Sequence, residues 1–154
     1  MIKIYTLLIV ISSFLFSKVI VGQNIESITL HNQFNKSHTI DKKTKKIIFV
    51  FTKENIQKLN GFLEKKDKDY LSSKDILFLI DIPEELSIFK WFGIDSLEQY
   101  KHSILVIDNK SILNRYQDLA NRDKIMVITL SKLKIIGIDY FDDLEDFQNI
   151  VENN

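Results

Sequence analysis

An α/β domain with a mixed sheet and helices on both faces, set behind a hydrophobic N-terminal segment, is what this sequence predicts. Three observations carry the prediction. Apolar runs at 47–51, 76–82 and 104–108, broken only by Asp81 and Asp108, read as strands covered on both faces. Apolar residues at helical spacing separate the first two of these runs. Two further β-rich runs, 124–130 and 134–140, lie close enough for an antiparallel hairpin.

The N-terminal segment comes first. Met1-Ile2-Lys3 is a short basic start, and residues 4–16 are an apolar run of signal-peptide length that Lys18 interrupts. A spanning helix needs about 20 apolar residues, more than this run supplies. Cleavage after Gly22 places Ile20 at the −3 position, a poorer fit there than Ala or Val. Two readings stay open, a cleaved signal peptide over 1–22 and an uncleaved anchor in which Lys18 snorkels. A third reads the segment as a buried first element of the domain. The first two export the domain, residues 23–154.

Composition bounds the rest. The chain has 154 residues, 45% hydrophobic and 27% charged, with four glycines and one proline, as one globular domain has. Lys+Arg and Asp+Glu both number 21, and residues 1–22 hold Lys3, Lys18 and no acid, so the remainder carries a net charge of −2. That balance gives no electrostatic footprint for nucleic acid. There is no cysteine. Thiol redox chemistry, cysteine nucleophiles, cysteine-ligated zinc and iron–sulfur clusters are therefore excluded. No glycine-rich phosphate loop and no metal motif is present, and no cofactor is expected.

Residues 27–30 alternate polar and apolar as a half-buried strand does, 32–37 read as a turn, and 38–40 return as a second strand. Residues 41–46 are a polar connector. The apolar run 47–51 leads to Thr52, a candidate helix cap, with Asn55 as the other candidate. Ile56, Leu59, Phe62 and Leu63 form one helical stripe, in which Gly61 lowers propensity. The interspersed charges of 64–69 read as a solvated surface. Pro83 ends the run 76–82 and suits the first turn of a helix carrying Leu86, Phe89, Trp91 and Phe92, which Gly93 closes. Asn109-Lys110 makes a turn after the strand at 104–108. The hairpin of 124–130 and 134–140 turns across 131–133. Residues 142–151 form a last helix with Leu144, Phe147, Ile150 and Val151 inward and acids in its first turn.

A β-hairpin ahead of a βαβ unit and then ββα resembles the thioredoxin-like fold. The run 47–51 entering a helix looks like the strand before that family's redox motif. Trp91-Phe92-Gly93-Ile94 and Ser103 to Lys110 look like the segment that contains its cis-proline. Residues 33–40 are similar to the opening hairpin of exported and peroxiredoxin-type members. The likeness covers 25–152, and the chain is also similar to small uncharacterised exported bacterial proteins. The resemblance implies a periplasmic location, or a tether to the inner membrane if the N-terminal segment is retained. It does not carry the family's chemistry. The place of the redox cysteine holds Thr52-Lys53-Glu54-Asn55, and the place of the cis-proline falls at Lys101 or His102, where a trans bond is expected.

Retention of a fold without its thiols implies a non-redox domain that binds or scaffolds an envelope protein. The candidate partner or ligand surface comprises Thr52, Lys53, Glu54, Trp91, Phe92 and His102. In the alternative reading, Lys53, Glu54 and His102 meet at the ends of neighbouring strands and serve a small-ligand protein or an enzyme. His31 and His38 can approach across the first hairpin, yet two histidines without a partner acid read as hairpin residues rather than a metal site.

Overall fold

The computed structural model describes residues 19–81, 97–107, 116 and 121–152. Most of the N-terminal segment, the helix expected after Pro83 with Trp91 and Phe92, and the Asn109-Lys110 turn lie outside the described residues. Among the described residues no helix is long and apolar enough to cross a membrane.

The strands are β1 (Ile28–His31), β2 (Ser37–Ile40), β3 (Lys46–Val50), β4 (Ile76–Asp81), β5 (Leu105–Ile107), β6 (Ile125–Ser131) and β7 (Lys134–Phe141). The helices are α1 (Lys53–Leu63), the single turn α2 (Tyr70–Ser73) and α3 (Leu144–Glu152). β1 and β2 form a separate hairpin, and the main sheet has the order β5-β4-β3-β6-β7. β3 pairs parallel with β4, β4 parallel with β5, and β3–β6 and β6–β7 are antiparallel. The sheet is therefore mixed, as strand–helix alternation followed by a hairpin implies.

All five residues of β3 are buried, so both of its faces are covered. Successive side chains alternate between the faces. Ile48 and Val50, with Phe78, Ile80, Ile125 and Val127, meet Ile56, Leu59, Phe62 and Leu63 of α1 and Phe147 and Val151 of α3. Ile47, Phe49 and Phe51, with Leu79, Leu105, Met126 and Ile128, meet Leu30 and Ile40 of the hairpin together with Tyr116. Phe49 sits edge-on to Phe51 and to Tyr116, with ring centroids 4.3 and 5.9 Å apart. Each fully buried aliphatic or aromatic side chain contributes about 1.5–3 kcal/mol over its exposed state.

The chain ahead of β1 docks on the sheet. Gly22 N–H donates to Ile135 O at 2.8 Å, Ile135 N–H to Gln23 O at 2.9 Å, and Ile25 N–H to Leu133 O at 2.9 Å. Val19 and Ile25 pack against the second core. The expected boundary between 22 and 23 falls inside this pairing.

Two details differ from the sequence expectation. α2 follows the charged run without an apolar repeat, and Leu71 is its one buried residue. The β6–β7 loop is two residues long, not three, because Ser131 pairs with Lys134. Lys132 and Leu133 take φ of 50° and 72°, as a two-residue loop matched to strand twist requires. Glycine and asparagine carry that conformation with the least strain. Lys132 is exposed, so Lys132→Asn is expected to raise unfolding free energy by roughly 0.5–1 kcal/mol in urea titration.

Candidate functional site

The carboxyl ends of β3 and β4 meet the start of α1. Thr52 has extended backbone, φ −124° and ψ 146°, and its Oγ1 accepts the Asn55 backbone N–H at 3.3 Å. It is therefore the N-cap, and the hydroxyl satisfies one of the amides that a helix start leaves open. Asn55, the other cap candidate, is buried, and its Nδ2 donates to Asp123 O at 2.6 Å. That bond ties α1 to the loop entering β6.

Lys53 and Glu54 are exposed on the first turn. Glu54 pairs with Lys58 at 2.7 Å one turn on. The hydrogen bond and charge of Lys58 hold the Glu54 carboxyl below its ordinary pKa. In solvent such a pair adds little to stability. Beside this end, buried Asp81 closes β4 and meets Arg122 at 3.3 Å. Lys124 pairs with Asp142 at 3.1 Å. Among the described residues, cap, amide and ion pairs thus join the elements at this end of the sheet.

His102 is not there. β5 runs parallel to β4, with Leu105 beside Leu79, so the residues ahead of β5 lie at the amino ends of the parallel strands. His102 is buried, and its Nε2 lies 2.8 Å from Leu63 O at the far end of α1. The 11 residues of α1 span about 16 Å. The structure therefore gathers Thr52, Lys53 and Glu54 and separates them from His102. The acid–base constellation expected of Lys53, Glu54 and His102 does not form. Trp91 and Phe92 lie outside the described residues. No cis peptide bond occurs among the described residues, Lys101 and His102 included.

A second polar cluster forms where His102 does lie. Asn32 Oδ1 accepts Phe34 N–H and Lys36 N–H at 3.0 and 2.8 Å. Its Nδ2 consequently faces Ser103 Oγ, 2.9 Å away. Ser103 Oγ in turn is 3.2 Å from His38 Nε2. Gln33 adds a clasp, donating to His102 O at 2.8 Å and accepting Ile104 N–H at 2.8 Å. These residues dock the β1–β2 hairpin on the segment that enters β5. Burial, and then the charge of Lys36, lower the His38 pKa from its ordinary 6.5. His31 is exposed, and its Nδ1 lies 3.4 Å from Ser37 Oγ. Among the described residues no group of three or more His, Asp or Glu side chains is placed to hold a metal ion.

Thr52→Ala is expected to cost about 1 kcal/mol of stability in denaturant titration, with α1 the element affected. A lowered His38 pKa means that the unfolded chain takes up its proton first as pH falls. Stability from this group is therefore complete above about 6.5 and is lost on acidification below it. Melting curves at neutral and mildly acidic pH are expected to show this loss, and His38→Gln to reduce it.

No family model matches the sequence, and no curated protein is significantly similar to it. Solved structures do match. The thioredoxin domain of a thiol-disulfide oxidoreductase from Bacteroides vulgatus has a TM-score of 0.56 at 14% identity, over 88% of this chain and 98% of that one. A putative protein disulfide isomerase from Bacteroides thetaiotaomicron has a TM-score of 0.54 at 17% identity, over 88% and 87% of the two chains. A putative thioredoxin from Neisseria meningitidis has a TM-score of 0.56 at 12% identity, over 84% and 89%. At these identities the likeness concerns the fold alone. The chain has a thioredoxin-like α/β fold with a mixed sheet and contains no cysteine.

Proposed function

We propose that this chain is an exported, non-redox domain that binds or scaffolds another protein of the cell envelope. The observation that carries the reading is Thr52. At the start of the helix that follows the first central strand, its hydroxyl is engaged as a cap, and no cysteine exists anywhere in the chain to act as a nucleophile. A helix N-terminus can lower a thiol pKa and activate it, but only where a thiol is present. What this end offers a partner is an exposed Lys53 and Glu54 on a helix start tied by Asn55 to the loop entering β6. The hydrophobic segment at residues 4–16 supports export.

The full chain is expected to show no dithiol-dependent reduction of insulin. Used as bait in its native envelope fraction, it is expected to retain a reproducible protein partner. The charge-reversing pair Lys53→Glu and Glu54→Lys is expected to release that partner while lowering stability only by the little that the exposed Glu54–Lys58 pair carries. Repeated failure to retain any partner contradicts the reading, as does retention indifferent to the reversal.

A further inference from the structure

A cleft of about 310 Å³ lies at the amino ends of the parallel strands, on the side of the fold away from Thr52. Leu71, Leu77 and Phe78 are among its apolar lining. His38 and Ser103 stand in its wall. Its polar lining carries charges of both signs, Lys43 and Lys68 against Asp41 and Asp75. This size is at the lower end of small-molecule sites, which span roughly 300–1,000 Å³.

The charges are held in different ways. Asp41 Oδ1 accepts the Lys43 backbone N–H at 2.8 Å, and Asp41 N–H donates to Thr44 Oγ1 at 3.1 Å. The connector before β3 is thereby curled into a fixed turn. Asp75 pairs with Lys45 at 3.2 Å. Lys43 and Lys68 are exposed and make no ion pair among the described residues. Asn32, Ser103 and His38 form a hydrogen-bonded chain. Asn32 Nδ2 donates to Ser103 Oγ, which in turn lies 3.2 Å from His38 Nε2, so the three side chains are linked at the cleft wall.

A simple anion would answer the lysines and face two carboxylates. A simple cation would answer the carboxylates and face two ammonium groups. A purely apolar molecule would desolvate both sets without compensation. One small molecule that carries both charges and an apolar body meets all three requirements. We propose that this cleft binds a free α-amino acid with an apolar side chain. Its carboxylate faces Lys43 and Lys68, its ammonium faces Asp41, and its side chain lies against the half-buried Leu77. The site stands apart from the protein-binding rim at the other end of the sheet and does not depend on it.

The test is calorimetric titration of the full chain in mild detergent with L-leucine and L-phenylalanine, and with the N-acetyl and amide derivatives of phenylalanine. The expected result is saturable binding of the free amino acids, weakened about tenfold or more by loss of either terminal charge. The double variant Lys43→Ala/Lys68→Ala and the single variant Asp41→Asn are each expected to weaken binding by a similar factor. Circular dichroism and melting curves check that both variants are folded. Absence of saturable binding at millimolar ligand overturns the proposal. So does equal binding of the blocked derivatives, or affinity unchanged in both folded variants.

Discussion

The structure depends on the burial of β3 on both faces. Lys46 to Val50 are all buried, and a strand in that position must have neighbours on both edges and layers above and below. β4 and β6 supply the edges. The helices supply one layer, and the hairpin with residues 19–25 supplies part of the other. Even Lys46 is drawn in. Desolvation, with Lys74 adding, lowers its pKa from the ordinary 10.5. Among the described residues the charged side chains lie in connectors, on helix faces, at strand ends and on the edge strand β7.

That constraint gives the two ends of the sheet different characters. At the carboxyl ends of the parallel strands, Thr52, Asn55 and Asp81 all bond inward, to a helix amide, a loop carbonyl and an arginine. At the amino ends the polar groups hold a hairpin in place and leave a cleft beside it. Gln33 grips the backbone ahead of β5 at three points, Tyr100 O, His102 O and Ile104 N–H. Binding a ligand at such a cleft draws on groups already fixed by the fold, which limits the ordering cost of association.

Much of this was legible in the sequence. Continuous β-branched and aromatic runs marked β3 and β4 because strands buried on both faces leave no alternation. Thr52 was readable as a cap because its hydroxyl precedes an apolar helical stripe. The rest had no local signal. Neither Lys132 nor Leu133 is a residue type that announces positive φ, so the loop was expected one residue too long. Tyr70-Leu71-Ser72-Ser73 is too short to show a helical period. His102 was placed at the wrong end of the sheet because the direction of β5 relative to β4 is a property of pairing, not of residues 104–108. For the same reason the cleft was invisible, since His38 and Ser103 are 65 residues apart, and Lys43 and Lys68 read as parts of a polar connector and of a solvated surface.

Native-state hydrogen exchange tests the dependence on β3 most directly. The amides of Ile47 to Val50, with their partners in β4 and β6, are expected to exchange only through global unfolding and to share the highest protection in the domain. The β1–β2 hairpin and the residues docking on β7 are expected to exchange through smaller openings. Exchange of the β3 amides by local opening, or higher protection in the hairpin than in β3, would contradict the account.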